Sequence, residues 1–286
     1  MLDFPEFGSQ RLGKSRIWAD SSLLASVDPE ILADPDQLFG RTDCKLFKDE
    51  QKVKVGRVVL DINGVSTGVY LKRYNSFSLR YRVASLVVVS RALKSFRGTE
   101  ILSRAGISTA TPLAVIEFRS GGMLDSSFFL SREVPQAKTV DAYWRENLTP
   151  LAGVERFRSR RKFLAALAAL VVDLHERRIY HNDLKDANIL VKDCSSGVCF
   201  SLLDVEGVRR CWYLSRRRRV KNMVQLNRTL GKFLSRTGKL FFLNSYLRRR
   251  ANEKRTKTRW IVDILDATGS AHRRSLSKTE QPGSRG

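Results

Sequence analysis

The hydrophobic and polar positions change period twice along the chain. From Cys44 onward the apolar residues alternate: Val53, Val55, Val58-Val59-Leu60 and Ile62 predict a strand. Asn63-Gly64 is a hairpin turn, since both positions tolerate positive φ, and Gly68-Val69-Tyr70-Leu71-Lys72 is the returning strand. Residues 78–103 then read as helical, with Leu93, Phe96 and Glu100 on one face. A second hairpin runs from Pro112 to Phe118, turns at Ser120-Gly121-Gly122 and returns through Phe128-Phe129-Leu130. After Val134-Pro135 the period becomes helical. Phe163, Leu164, Leu167, Leu170, Val171 and Leu174 mark a long buried amphipathic helix. Two short strands follow, Asn188 to Val191 and Cys199 to Leu203, around a turn at Ser195-Ser196-Gly197. Helical patterning resumes from about Val220 to Leu265. Residues 1–40 read as an extension of uncertain order, and the polar stretch 267–286 as a disordered tail.

Between the long helix and the two strands stands His181-Asn182-Asp183-Leu184-Lys185-Asp186-Ala187-Asn188. It matches the kinase catalytic-loop pattern H-R-D-L-x-x-x-N, with Asn182 in place of Arg. In that pattern the Asp meets the acceptor hydroxyl, and the Asn five residues later folds back to hold a metal ion on the nucleotide. Asp183 is thus the candidate catalytic base, Asn188 a candidate magnesium ligand, and Lys185 a cation for the transferring phosphoryl group. Sixteen residues past Asn188, an apolar strand ends in Leu202-Leu203-Asp204-Val205-Glu206-Gly207. Asp204 falls where the D-F-G aspartate binds magnesium, although Val205 and Glu206 stand before Gly207. Upstream, Lys72 ends a strand at the position of the phosphate-gripping lysine, and Glu100 is the candidate helix carboxylate to hold it. No G-x-G-x-x-G precedes that strand; the loop near Lys48 to Lys52 is left to cover the phosphates.

These features predict an α+β, protein-kinase-like two-lobed fold. The small β-rich N-lobe spans residues 41–134 and the mainly helical C-lobe residues 135–266. ATP and Mg2+ are the expected cofactors. A protein kinase or a small-molecule kinase of the same fold is the alternative enzyme reading. No A-P-E follows Gly207, and the Arg that would answer an activation-loop phosphate is missing, which argues against a regulated protein kinase.

Val69-Tyr70-Leu71-Lys72-Arg73-Tyr74, Ala105-Gly106-Ile107-Ser108-Thr109 with Pro112-Leu113-Ala114, and Tyr180-His181-Asn182-Asp183-Leu184-Lys185 together resemble the bacterial lipopolysaccharide core kinases, the Kdo and heptose kinases. Leu-Leu-Asp204, Leu226-Asn227-Arg228 and Phe242-Leu243 with Tyr246-Leu247 extend the resemblance to roughly residues 42–250. It implies ATP-dependent phosphorylation of a sugar hydroxyl in the lipopolysaccharide inner core, at the cytoplasmic face of the inner membrane.

A competing motif lies near the start. Gly8-Ser9-Gln10-Arg11-Leu12-Gly13-Lys14-Ser15 fits the Walker A pattern. A P-loop needs a buried strand before it and a helix after it. The seven residues before Gly8 include Asp3, Pro5 and Glu6, so a basic loop is the better reading.

Charge then adds a partner. The 286 residues carry 52 Lys plus Arg against 29 Asp plus Glu, a net +23. Residues 209–286 hold 22 basic and 4 acidic side chains, so +18 of the +23 lies in the last quarter. Such a block calls either for plenty of solvent, as a solvated basic face and tail, or for an anionic partner: nucleic acid, an acidic membrane surface or a phosphorylated substrate. No apolar run is long enough to span a bilayer, so a lipid-linked precursor would be met peripherally. Arg216 to Arg219, Arg248 to Arg250 and Lys254 to Arg259 are the candidate contacts with an anionic membrane surface. Nucleic acid would attract the same charges, but retention of Lys72, Asp183, Asn188 and Asp204 together weighs against a nucleic-acid module. The N-terminus shows no signal peptide. The four cysteines show no zinc spacing and read as free thiols of a reducing cytosol.

Overall fold

The computed structural model describes residues 7–76, 78–195, 197–248 and 256–279. The chain forms two compact units: Met1–Pro135 with Asp204–Gly207, and Gln136–Leu203 with Val208–Gly286.

The first unit is built on a seven-stranded antiparallel sheet. Its strands are β1 (Phe7–Leu12), β2 (Ser15–Asp20), β3 (Lys45–Glu50), β4 (Val53–Ile62), β5 (Val65–Asn75), β6 (Pro112–Ser120) and β7 (Met123–Arg132), in the order β1-β2-β6-β7-β5-β4-β3. Asn63 and Gly64, at φ of 54° and 74°, make the tight β4–β5 turn that the sequence predicts. On one face Val58, Leu60, Val69, Leu71, Ile116, Phe128 and Leu130 are buried. They pack with Leu23 of α1 (Ser21–Ser26) and Leu32 of α2 (Pro29–Ala33). Residues 7–40 therefore extend the sheet and cap its core, rather than forming a loose extension. The Walker A lookalike is the β1–β2 hairpin: Gly13 takes φ 56° at the turn, Lys14 is exposed, and β2 pairs antiparallel with β6. Among the described residues no parallel strand precedes it, and Ser15 opens a strand instead of a helix, so the segment lacks P-loop geometry.

The predicted helix 78–103 is broken in two, α3 (Leu79–Ala84) and α4 (Arg91–Arg104). Serines cause the break. Ser85 Oγ accepts from Leu124 N at 2.8 Å, and Ser90 caps α4 by accepting from Leu93 N at 3.1 Å. Phe96 and Ala92 of α4 bury against Val115 and Phe129 of the sheet.

The second unit is mainly helical. A three-stranded sheet joins β8 (Lys138–Thr139), β10 (Ile189–Cys194) and β11 (Gly197–Leu202) beside α5 (Val140–Tyr143). Helix α6 (Gly153–Glu176) buries Phe163, Leu164, Leu167, Val171 and Leu174, as its periodicity predicts. A two-stranded ladder pairs β9 (Ile179–Tyr180) with β12 (Arg209–Arg210). Helices α7 (Arg216–Thr229), α8 (Arg236–Arg248) and α9 (Lys257–Thr279) complete the unit. His175 at the end of α6 bonds Tyr246 Oη at 2.9 Å and Asn222 Oδ1 at 3.3 Å, tying α6 to α8 and α7. Trp260 of α9 is fully buried against Tyr246. Helix α9 runs through residue 279, past the boundary at 266 that polar composition suggests; residues 280–286 lie outside the described residues. Trp260 gives it an anchor that composition does not display. Among the described residues, no helix is long and apolar enough to cross a membrane.

The cysteine reading needs correction. The β10–β11 hairpin sets the Cα atoms of Cys194 and Cys199 6.0 Å apart, and the two are joined as a disulfide. Cys44 and Cys211 are free and half-buried.

Candidate active site

Each unit presents a cluster of charged side chains. In the first, β5 carries Lys72, flanked in register by Val55 of β4 and Phe129 of β7. Its ammonium reaches Asp204 Oδ1 at 2.6 Å and lies 5.4 Å from the centre of the Tyr74 ring. Burial pulls the Lys72 pKa down, but the Tyr74 hydroxyl and the Asp204 carboxylate outweigh it, and the net pKa is raised. Asp204 adopts φ 52°, in the left-handed region that a non-glycine residue enters only when its surroundings hold it there. Those surroundings are visible on both sides. Gly98 of α4 packs so tightly on the next residue that a Cβ there would lie 2.0 Å from the Val205 carbonyl oxygen. Arg91, at the start of α4, donates to both carboxylate oxygens of Glu206 at 2.8 and 3.0 Å while stacking 4.5 Å over Tyr74. Tyr74 in turn bonds Ser95 of α4 at 2.9 Å.

Glu100 does not serve as the partner of Lys72. Its carboxylate pairs at 2.5 Å with Arg104, one turn further along α4, and Lys72 takes Asp204 instead. The tie between α4 and the Asp204 segment runs through Arg91–Glu206, which the sequence reading did not identify. The hairpin tip near Lys48 to Lys52 is latched close to Lys72 in sequence: Asn75 Nδ2 donates to Gln51 O at 2.9 Å, and Asn75 N to Lys52 O at 3.2 Å.

In the second unit the loop 181–188 folds around Asn188. The Asn188 amide nitrogen donates to the Asp183 carbonyl at 2.9 Å and to its carboxylate at 3.0 Å, and Lys185 Nζ stands 2.7 Å from the same carboxylate. The three predicted residues of this loop thus come together. His181 is buried and bridges two backbone groups. It donates from Nε2 to Leu203 O at 3.0 Å and accepts from Asp183 N at Nδ1 at 3.3 Å, which defines the Nε2–H tautomer. Asn182, where the pattern has Arg, accepts from Tyr180 Oη and Lys221 Nζ at 3.3 Å each.

Three residues of α7 support this loop and were not foreseen. Asn222 donates to His181 O, Gln225 Oε1 accepts from Leu184 N at 3.2 Å, and Thr229 Oγ1 accepts from Asp186 N at 3.4 Å. Gln225 also donates to Asn182 O. Positions 222, 225 and 229 share one helix face. A row of amide and hydroxyl residues on one helix face, bordered by the buried Leu226, was the available signal.

Among the described residues, no three His, Cys, Asp or Glu side chains gather as a metal cluster. Each unit, taken by itself, nevertheless offers one oxygen of the kind used by a magnesium ion that is held chiefly by nucleotide phosphates. Magnesium of that kind takes only one or two protein oxygens. Asp204 offers a carboxylate, and Asn188 keeps its carbonyl oxygen once its amide nitrogen is committed to Asp183.

Comparisons with known proteins give the fold and the family. A solved structure titled "WaaP in complex with acyl carrier protein" is similar at a TM-score of 0.59 and 21% identity, over 83% of this chain and 92% of that one. The likeness gives the fold, which is protein-kinase-like. A search of curated proteins finds no match. The model of the lipopolysaccharide kinase (Kdo/WaaP) family matches residues 53–261, a span that includes Lys72, Asp183, Asn188 and Asp204. With most of its length inside that match, the chain belongs to the lipopolysaccharide kinase (Kdo/WaaP) family.

Proposed function

We propose that this kinase transfers the γ-phosphoryl group of ATP to a sugar hydroxyl, of Kdo or heptose, in a lipid-linked lipopolysaccharide inner core. Supporting this reading is the Asp183 carboxylate, held by Asn188 and Lys185 at hydrogen-bonding distance and open to solvent. Asp183 accepts the proton of the acceptor hydroxyl as that oxygen becomes a nucleophile. Lys185 opposes the negative charge that spreads over the transferring group. Lys72 would grip the α- and β-phosphates, and Asp204 and Asn188 are the residues that would hold the metal. Bound ATP and magnesium would supply the transferable group and counter-charge for its oxygens.

Because the acceptor is anchored in lipid, the enzyme works peripherally at the cytoplasmic face of the inner membrane, held by its basic C-terminal portion. Arg216 to Arg219 contribute unequally: Arg216 pairs with Asp263 at 2.8 Å, Arg219 is buried, and Arg217 and Arg218 are exposed. Arg249, Arg250, Lys254 and Arg255 lie outside the described residues.

The test is phosphate transfer to lipopolysaccharide precursor, followed by mass spectrometry of the core. Asp183→Asn should leave the fold intact and lower transfer by about 10²-fold or more, the contribution of a general base. Lys14→Ala should leave transfer unchanged. Transfer that survives Asp183→Asn and is lost in Lys14→Ala would overturn the assignment.

A further inference from the structure

Among the described residues of the second unit, the most exposed large apolar side chain is Trp212, 92% accessible, and its neighbour Tyr213 is 67% accessible. The segment that carries them is fixed at its base. Strand β12 pairs with β9 through Arg209↔Tyr180 and Arg210↔Ile179, and Cys211 N donates to Arg178 O at 2.9 Å. Arg178, at φ 60°, returns a bond from its guanidinium to Trp212 O at 3.1 Å. The backbone is therefore held while both aromatic rings project into solvent.

Exposed Arg209, Arg210, Arg217 and Arg218 border this segment in the chain, and exposed Arg177 and Arg178 precede the strand with which β12 pairs. Arg218 reaches Cys211 Sγ at 2.9 Å and lies over the Tyr180 ring, which keeps this end of α7 against the aromatic segment. Beneath the rings is an open cavity of about 480 Å³ lined by Arg178, Arg219, His175, Trp212 and Tyr213, with Glu176 as its acidic edge. Neither the catalytic loop nor the Lys72 cluster uses any of these residues.

We propose that the Trp212–Tyr213 segment is an interfacial anchor for an anionic phospholipid bilayer, with the cavity beside it receiving a lipid phosphate. Tryptophan and tyrosine pair an apolar ring with a polar N–H or O–H, which suits the boundary between headgroups and acyl chains. The surrounding guanidiniums match a phosphate-bearing surface in charge, and they bind phosphate oxygens through a fork of donors. An exposed Trp-Tyr pair on a basic platform would also stack nucleic-acid bases. The lipid is favoured because the family's acceptor is lipopolysaccharide. In that respect the proposal rests on the function given above.

Vesicle binding tests it with neither nucleotide nor acceptor present, so its failure is separate from a failure of phosphate transfer. Trp212 is the exposed one of four tryptophans; Trp144 and Trp260 are buried and Trp18 is half-buried. Adding phosphatidylglycerol vesicles should therefore shift tryptophan emission to the blue, and brominated acyl chains should quench it in the unaltered protein. Trp212→Ala with Tyr213→Ala should abolish the shift and lower partitioning at least tenfold at an unchanged melting temperature. Arg209→Gln with Arg210→Gln should weaken binding about fivefold per arginine. Raising salt from 0.1 to 1 M, where the Debye length falls from about 10 to about 3 Å, should release the protein. Unchanged partitioning of the aromatic variant, absence of quenching, or equal binding to phosphatidylcholine vesicles would overturn the proposal. So would displacement from vesicles by single-stranded DNA at equimolar amounts, which would reassign the surface to nucleic acid.

Discussion

Lys72 and Asp204 form an ion pair whose two members are 132 residues apart in sequence. Because the pair and the Tyr74 hydroxyl raise the Lys72 pKa above its usual 10.5, the folded state holds this proton more tightly than the unfolded chain. The stabilisation is therefore complete below about pH 10.5 and is lost as pH rises through the folded value. Urea unfolding of the protein and of Lys72→Met should show a stability difference that is flat from pH 7 to about pH 10 and shrinks above it. The carboxylates of α4's surroundings separate equally clearly. Glu100→Gln removes an i,i+4 pair with the exposed Arg104, worth about 0.3–0.5 kcal/mol, and should leave nucleotide affinity unchanged. Glu206→Gln deprives Arg91 of a half-buried bidentate partner and should weaken nucleotide binding about tenfold, measured by calorimetry. Here the sequence was legible in part. Motif spacing singled out Lys72 and Asp204, which pair at 2.6 Å, and Asp183 and Asn188, which bond at 3.0 Å. It misassigned Glu100, because twenty-eight residues from Lys72 selects a helix but not which carboxylate on or near it faces the strand. Arg104, four residues beyond Glu100, was a local competitor visible in the chain.

Helices α4 and α7 act as frames for two backbone segments. Helix α4 approaches Val205 closely only because residue 98 lacks a side chain. Gly98→Ala should therefore cost about 1–3 kcal/mol by overpacking and disturb Asp204, lowering both urea stability and nucleotide affinity. Helix α7 holds the catalytic loop through Asn222, Gln225 and Thr229. Gln225→Leu leaves Leu184 N and Asn182 O without that partner and should lower kcat with little change in KM for ATP, since Lys72 and Asp204 are untouched. Periodicity found β4, β5, β6, β7 and α6, where burial on one face imposes a strict repeat. It joined α3 to α4, because the break depends on Ser85 reaching a backbone N–H on β7, and no periodic signal encodes that contact. It left residues 7–40 out of the sheet for a similar reason: the pairing partner of β2 is β6, almost a hundred residues away.

Across the whole molecule, the net +23 is carried unevenly, and the structure divides it further into charges with internal work and charges facing solvent. Arg216 stacks on Trp260 and pairs with Asp263, which makes it part of the seat of α9. Trp260→Ala should destabilise the second unit by about 3–5 kcal/mol, seen as a lower urea midpoint, through the cavity it leaves. Total charge was readable from composition; its division was not, because it depends on which arginines find aromatic rings and carboxylates.

The four residues Asp204–Gly207 belong to the first unit although the segment Gln136–Leu203 of the second precedes them in sequence. During synthesis, residues 1–135 emerge first, with Lys72 lacking its carboxylate and the groove at Gly98 empty. Not until residue 207 has left the ribosome can the first unit close, and by then α6 and the catalytic loop have already emerged. Domains synthesised first ordinarily fold first. In this chain the earlier unit must wait for a segment delivered by the later one, so a nascent chain stalled before residue 204 should remain sensitive to protease within α4, and one stalled well past 207 should not.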